Sequence, residues 1–436
     1  MVKVLHLSDI HLGSGLNHGR INPQTGCNTR LEDFTATLGH CIDRAINNSV
    51  DLVLFGGDAF PDATPPPLHQ EAFAGQFSRL AEANIPTVLL VGNHDQHGQG
   101  LEGNSLSIYR TLAVPGFYVG DRLRTLTIET ASGPIQVTTL PWLNRSTLLT
   151  RPESDGLSAA ALSQVLLNKL NVALEAETRS IDPTIPAILL AHTTIDRARF
   201  GAERHLAVGK GFTVPLSFVA RPAYQYVALG HVHRHQVLCE NPPVIYPGSI
   251  ERVDFGEENE AKGFILADVT PEGTDYEFVP LQVRQFCTIR VDLTDSESDS
   301  SLMQVLDTAI AQREIKDAVV RLIYRIRSDR ADEIDDRRLH DLLASASTYS
   351  INPEVLTPSR TRLPGLASTA LSPIDALEHY LQMRDDLAGL QGDMLEAARQ
   401  LASDSIPDWV DEDTDESAWM PEQEQLSLLE RDEAWS

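Results

Sequence analysis

Five short apolar runs punctuate the first 230 residues of the chain, at residues 2–8, 51–57, 86–91, 185–191 and 224–230, and each gives way at once to polar residues or glycine. The runs are dense in Val, Ile and Leu, the pattern of strands covered on both faces. Between the early runs lie two stretches with apolar residues at helical spacing, "TRLEDFTATLGHCIDRAINN" and "LHQEAFAGQFSRLAEAN". Strand and helix in alternation predict an α/β layered fold. From about Gly116 to Pro141, and again from Pro243 to Pro280, strands follow one another through tight turns, so the sheets are expected to be mixed. This first domain is placed at residues 1–282.

A different rhythm begins at "RQFCTIRVDLTD": strand, helix over Ser301–Arg313, strand "AVVRLIYRIR", helix, then "STYSINPEVL". That order predicts a small α+β domain over residues 283–357. A linker at 358–372 leads to Ser372-Pro373-Ile374-Asp375, which reads as an N-cap, a proline at the first helical position and an acid in the first turn. The helical segment that follows, 373–402, carries Ile374, Leu377, Leu381 and Leu387 along one stripe, with Gly392 as the expected break. A helix so isolated needs an apolar surface to bury against, on a partner or on its own first domain.

Charge changes the picture in two places. The net charge of −27 argues against a phosphate-binding surface, but Leu401–Ser436 holds twelve acidic residues and one arginine, hence eleven of those charges. This tail, 403–436, has little to build a core with and is expected to be disordered. Basic residues gather after the fourth run (Arg197, Arg199, Arg204, Lys210, Arg221) and in the second domain (Arg313, Lys316, Arg321, Arg325, Arg327, Arg330). Either group is a phosphate track or a solvated face, and Glu314, Asp317 and Asp329 beside the second favour neither reading. The four cysteines are scattered, which excludes a thiolate metal site or disulfide framework as an organising feature. No window has the 18 or so uninterrupted apolar residues of a membrane span, and the opening "MVKVLHLSDIHLG" lacks a secretory h-region, so a cytoplasmic protein is expected.

The candidate chemistry lies where the apolar runs stop. "SDIHLG" supplies Asp9 and His11, "GGD" supplies Asp58, "GNHD" supplies Asn93, His94 and Asp95, "AHTT" supplies His192, and "GHVH" supplies His231 and His233. Open α/β sheets bind ligands beyond the C-terminal ends of their strands. Carboxylates, an amide oxygen and imidazoles without thiolate suit manganese, iron(II) or zinc rather than calcium. The donors exceed one tetrahedral ion and suffice for two if a carboxylate bridges, with Asp58 the natural bridge. Two metals about 3.5–4 Å apart are the apparatus of hydrolytic phosphoryl transfer. Any one of these histidines alone is more simply a satisfied core or loop residue; five strand ends carrying matching donors are not.

In order and spacing, these motifs resemble the calcineurin-like metallophosphoesterases. "SDIHLG", "GNHD", "GHVH" and especially "YPGSIERVDFGE" resemble the nuclease (SbcD-type) subunit of the SbcCD double-strand-break repair exonucleases. The resemblance implies a four-layer αββα sandwich, a small α+β capping domain at 283–357 that helps to position DNA, and a C-terminal helical segment docking on an SMC-like ABC ATPase (SbcC-type), with Leu377, Tyr380 and Leu381 as contacts. It implies two Mn(II) ions, with Mg or Fe as substitutes: Asp9, His11 and His233 on the first, Asn93, His192 and His231 on the second, Asp58 between them. His94 would then be no ligand but the residue that meets the scissile phosphate and the 3′ leaving oxygen, oriented by Asp95, with Gly92 permitting the turn. Activity as a 3′–5′ double-strand exonuclease and single-strand or hairpin endonuclease, a homodimer, DNA contacts from Arg197, Arg199, Arg204, Lys210 and Arg252, and nucleoid association when active complete the expectation. One departure stands out: Pro61 occupies the position, three residues after Asp58, where some relatives carry a second functional histidine. The rival functions are a phosphoesterase of small diesters or phosphoproteins, and a catalytically silent scaffold for the ATPase.

Overall fold

The apolar runs become the inner strands of two six-stranded sheets. In chain order the strands are β1 (Val2–Leu7), β2 (Leu52–Phe55), β3 (Thr87–Leu90), β4 (Phe117–Gly120), β5 (Arg124–Thr130), β6 (Gly133–Leu140), β7 (Ala187–His192), the short pair β8 (Thr194–Ile195) and β9 (Thr213–Val214), β10 (Tyr226–Gly230), β11 (Gln236–Glu240), β12 (Pro243–Tyr246), β13 (Gly263–Thr270) and β14 (Gly273–Pro280). The first sheet has the order β14-β13-β1-β2-β3-β4 and the second β11-β12-β10-β7-β6-β5. Strands β1 to β4 are mutually parallel, as are β6, β7, β10 and β12, while the hairpins at the edges are antiparallel, so both sheets are mixed. The computed structural model describes residues 1–96, 103–143, 158–201, 213–294, 301–356, 373–382, 384, 387 and 389–403.

Alternation along the strands sorts their side chains into layers. Val4, Leu52, Leu54, Val88 and Leu90 face Ile188, Leu190, Tyr226 and Ala228 between the sheets. The intervening positions Leu5, Leu7, Val53, Phe55 and Leu89 pack outward on Phe34, Leu38 and Ile42 of α1 (Thr29–Asn47) and on Phe73 and Phe77 of α2 (Pro67–Glu82). On the far side Leu189, Ala191, Val227 and Leu229 pack on Leu170 and Leu174 of α3 (Ala159–Ser180). The result is helix, sheet, sheet, helix.

A third sheet of three parallel strands, β15 (Phe286–Asp292), β16 (Val319–Arg327) and β17 (Thr348–Leu356), carries α4 (Leu302–Ala311) and α5 (Asp336–Leu343) and has its own core around Leu306, Leu322 and Leu339. It belongs to the same compact unit as the sandwich, Met1–Leu356. The two are joined by an aromatic contact: Phe286 meets Phe255 at 5.0 Å and His18 at 5.5 Å between ring centroids, and the guanidinium of Arg321 lies 4.2 Å over the Phe255 ring. Arg284 and Asp33 form an ion pair beside it.

The second unit, Thr357–Ser436, contains α6 (Pro373–Gln382) and α7 (Gln391–Ser403). The first helix ends at Gln382, short of Leu387, and Gly392 lies inside the first turn of the second rather than at a break. Leu381 is buried, Leu377 half-buried and Tyr380 exposed, so Leu381 is not an open contact residue in this conformation. The linker at 358–372 and the tail from 404 lie outside the described residues. No helix among the described residues is long and apolar enough to cross a membrane.

Candidate metal centre

The loops that follow β1, β2, β3, β7 and β10 meet at one end of the sandwich. Backbone bonds strap them together: the N–H of Asp9 donates to Gly57 O (3.0 Å), that of His11 to Asp58 O (3.0 Å) and that of Leu12 to Ala59 O (2.9 Å). Asp9, His11, Asp58 and His231 all have positive φ, at 52°, 47°, 59° and 102°. Non-glycine residues seldom adopt this region, and when they do it is often at functional sites where the surroundings enforce it.

Asp9, His11 and His233 present ligand atoms within 4.8 Å of one another, and so do Asp58, His192 and His231. Oδ2 of Asp58 lies 3.3 Å from Nε2 of His192 and 3.7 Å from Nε2 of His11, one residue from each group, as a bridging carboxylate must. Oδ1 of Asn93 is 3.0 Å from Nε2 of His192 and 2.9 Å from Nδ1 of His231. Nε2 of His233 is 3.0 Å from Nε2 of His11. Apart from half-buried Asn93, all these ligand candidates are buried.

Outer hydrogen bonds decide which nitrogens face inward. His192 donates from Nδ1 to Gly56 O at 2.7 Å, and His233 donates from Nδ1 to Oε1 of Glu257 at 2.6 Å. Their Nε2 lone pairs are thereby turned toward other acceptors, Asn93 Oδ1, Asp58 Oδ2 and His11 Nε2. Acceptors facing acceptors in a buried pocket are unfavourable unless a positive charge lies between them. Burial opposes a charged His192, yet Asp58, Asp9 and the bond to Gly56 raise its pKa to about 9. Burial alone would likewise raise Asp58, but His192, by charge and hydrogen bond, together with His94 and His11, holds that carboxyl well below the usual carboxylate range. Burial and the neighbouring His192 push His231 down to about 3, and burial and His233 keep His11 well below its ordinary value. His11 and His231 are thus held neutral while the carboxylates draw a positive charge onto His192, the place a cation would take, which fits two divalent ions with mixed oxygen and nitrogen donors.

His94 stands beside this set. Its ring lies 5.0 Å from that of His11, and one ring nitrogen comes within 4.8 Å of ligand atoms of His11 and Asp58. Its Nδ1–H donates to the carbonyl of Pro61 at 2.7 Å, not to Asp95. Asp95 is instead a buried loop organiser that accepts the N–H groups of Gly92 (2.9 Å), Asp58 (2.9 Å) and Ala59 (3.1 Å) and the hydroxyl of Ser105 (3.0 Å). Burial and the charge of Asp58 push it up to about 6, while the bonds from Gly92 and Ser105 pull the other way. The expectation that Asp95 orients His94 is corrected accordingly. Gly92 also has a different reason from the one expected. Its φ is not positive, but a Cβ there would sit 2.1 Å from Oδ1 of Asp58.

The basic residues divide. Arg197 and Arg199 are exposed beside the His192 loop, and Arg204 and Lys210 lie outside the described residues. Arg252 is buried, with its guanidinium donating to the carbonyls of Glu257 (3.2 Å), Arg284 (2.9 Å) and Glu260 (3.1 Å), so it is a structural residue and not a DNA contact. In the third sheet Arg325 pairs with Glu354, Arg327 with Asp329 and Arg330 with Glu333, which fits a solvated, self-neutralised face. Two residues without a role in the motif pattern border the site. Glu257 holds His233, and Trp142 packs its ring 4.7 Å from that of His231. Glu257 is within "YPGSIERVDFGE", but no spacing rule ties a carboxylate to a histidine 24 residues earlier.

A sequence profile of the calcineurin-like phosphoesterases matches residues 2–235. The chain is 27% identical over 301 residues to the SbcD subunit of the nuclease SbcCD of Staphylococcus epidermidis, covering 67% of this chain and 74% of that one. It is 26% identical over 321 residues to the uncharacterized metallophosphoesterase YhaO of Bacillus subtilis, covering 71% and 67%. It is 27% identical over 333 residues to the DNA double-strand break repair protein Mre11 of Aeropyrum pernix, covering 72% and 70%. The chain therefore belongs to the calcineurin-like phosphoesterase family. Within that family it is an SbcD-type metallophosphoesterase.

Proposed function

We propose that this protein is a metal-dependent nuclease of DNA break repair that hydrolyses DNA phosphodiesters with two divalent cations, manganese first. The observation that carries the reading is the placement of Asp58 Oδ2 between a His11 and a His192 nitrogen, with His94 alongside. The similarity to the SbcD nuclease of Staphylococcus epidermidis and to Mre11 supports DNA as the substrate. Asp9, His11 and His233 would hold one ion and Asn93, His192 and His231 the other, with Asp58 shared. Bound there, the ions supply Lewis acidity, acidifying a water and neutralising charge on the phosphoryl oxygens.

The chain's own groups do the rest. With Nδ1–H held by Pro61 O, His94 has Nε2 to offer to substrate; as the imidazolium it donates from that atom to the phosphate or to the departing 3′ oxygen. Asp95 keeps Asp58 and Gly92 in register by accepting their amides. On the family pattern the products come from 3′–5′ exonucleolytic and hairpin endonucleolytic cutting, the working form is a homodimer, and the helical segment around Tyr380 docks on an SMC-like ABC ATPase.

The test is manganese-dependent degradation of end-labelled duplex and hairpin DNA by the full chain, with bis-p-nitrophenyl phosphate in parallel. Degradation that is lost in His94→Gln while both metals stay bound supports the reading. Cleavage of the small diester alone, with the ATPase partner present, would replace it with a phosphodiesterase of small substrates. The similarity to a metallophosphoesterase without a stated substrate keeps that alternative in view.

A further inference from the structure

Two of the inward-facing imidazoles are held from behind by different kinds of acceptor. His192 is held by a neutral backbone carbonyl, Gly56 O, whereas His233 is held by a buried carboxylate, Glu257 Oε1, at 2.6 Å. The local sequence explains how the carboxylate gets there. Asp254 accepts the N–H of Gly256 at 2.7 Å and starts a single 3₁₀ turn over Phe255–Glu257 that delivers Glu257 inward, only 1% exposed. Its other oxygen accepts from Val253 N–H (3.0 Å) and from the ammonium of Lys262 (2.8 Å). Lys262 is as deeply buried and also donates to Glu260 (2.9 Å) and to the carbonyl of His233 itself (3.2 Å).

A buried ion pair of this kind adds little net stability, because desolvation offsets attraction. Its consistent feature is direction: with Oε2 held by Val253 N–H and Lys262, the carboxylate is oriented so that Oε1 faces His233. A carboxylate behind a ligating imidazole selects the tautomer, locks the ring and raises the basicity of the far nitrogen more than a carbonyl can.

We propose that Glu257, braced by Lys262, is a positioning residue for one metal only, the ion held by Asp9, His11 and His233, and that the ion at His192 and His231 does not depend on it. The inference rests on the two-metal reading above. It assigns a task to the "DFGE" turn outside the ligand set.

The experiment is calorimetric titration of manganese into the metal-free full chain, with electron paramagnetic resonance on the loaded protein. The wild type is expected to give two binding events and a spin-coupled pair. In Glu257→Gln, which keeps an acceptor oxygen but not the charge, one event weakens by about 10–100-fold and the other stays, so a mononuclear signal replaces the coupled one at limiting metal. Glu257→Asp, which keeps the charge one methylene further back, falls between the two, and it serves as the readout if the glutamine variant fails to fold. Two events of wild-type affinity in either variant overturn the proposal. So does equal weakening of both events with a lowered metal-free melting temperature, the mark of a merely structural residue. A wild type that lacks two events overturns the two-metal reading and this inference with it.

Discussion

His94 donates its Nδ1–H to the backbone carbonyl of Pro61 at 2.7 Å, and its own backbone N–H donates to Oδ1 of Asp58 at 2.9 Å. The position where some relatives have a second histidine therefore contributes through its main chain. The side chain at residue 61 should be dispensable for His94, so Pro61→Ala is expected to retain most of the DNA hydrolysis of the wild type. His94→Gln, which removes the acid, should lower kcat by about 10²–10⁴-fold. Single-turnover rates in manganese separate the two. A Pro61→Ala rate as low as that of His94→Gln would mean that the ring of Pro61, rather than its carbonyl, fixes the loop.

Gly92 is required by space. A methyl group there would meet Oδ1 of Asp58 at 2.1 Å and its backbone nitrogen at 2.5 Å, and neither can retreat without moving the shared ligand. Gly92→Ala should cost about 1–3 kcal/mol of stability by overpacking. Displacement of the Asp58 carboxylate, the proposed bridge, should also lower activity by about 10²-fold or more, the scale set by an ångström of misplacement. Metal content by atomic absorption, read beside thermal melting, checks both effects.

The arginines make opposite predictions. Arg252 is committed to three carbonyls, so Arg252→Ala should lower the melting temperature and leave the salt dependence of DNA binding unchanged. Arg197 and Arg199 are exposed near the centre. Replacing either should reduce the slope of log affinity against log salt by about 0.9 for each phosphate of duplex DNA that it neutralises. Fluorescence anisotropy between low and moderate salt distinguishes them. A slope change in Arg252→Ala would restore the role that its burial argues against.

Acid stability should depend on His6, which lies between the sheets away from the ligand set. Its Nε2–H donates to Leu229 O (3.2 Å) and its Nδ1 accepts from the Tyr226 hydroxyl (2.8 Å). Burial pushes its pKa from 6.5 down to about 3, against the effect of the Leu229 bond and with a small push from His235. Between those values the unfolded chain binds a proton that the folded chain does not, so stability rises with pH across the window. The contribution is complete above about pH 6.5 and is lost as pH falls toward 3, with a slope of up to about 1.4 kcal/mol per pH unit. Urea unfolding from about pH 4 to 7 should show a shallower dependence in His6→Leu than in the wild type, although that variant is less stable throughout. Parallel slopes would assign the acid sensitivity elsewhere.

The strand ends were legible because two local signals coincide there, an apolar run that stops and a metal-donor residue immediately after it. Asp9, Asp58, Asn93, His192 and His231 became candidates on that ground, and the structure brings them to one end of the sandwich. The helix Ala159–Ser180 carries Leu166, Leu170 and Leu174 at i, i+4 spacing, all buried, yet it falls outside the alternation read from the early part of the chain. The roles of Asp95, Arg252 and Glu257 could not be read locally. Whether a carboxylate meets an imidazole or three amides, and whether a guanidinium meets phosphate or carbonyls, is decided by how the turns fold and by segments as far off as Asp58 for Asp95, His233 for Glu257 and Arg284 for Arg252. A charged residue inside a recognised motif looks the same in either case.

Phe255 and Glu257 share one 3₁₀ turn, and this gives the third sheet a physical route to the metal centre. Phe255 is held by Phe286 of β15 and by the Arg321 guanidinium of β16, whereas Glu257, two residues on, holds His233. Phe286 is only 4% exposed, so Phe286→Ala should destabilise the Met1–Leu356 unit by about 3–5 kcal/mol, as a buried aromatic truncation does. If the turn transmits that loss, manganese affinity at the Asp9, His11, His233 site should fall along with it. Leu339→Ala, which opens a cavity in the core of the third sheet away from the turn, should destabilise without changing metal affinity. Paired titrations of the two variants with manganese, at a temperature where both remain folded, read the difference. Equal affinities would mean that the third sheet docks on the sandwich without influencing the site.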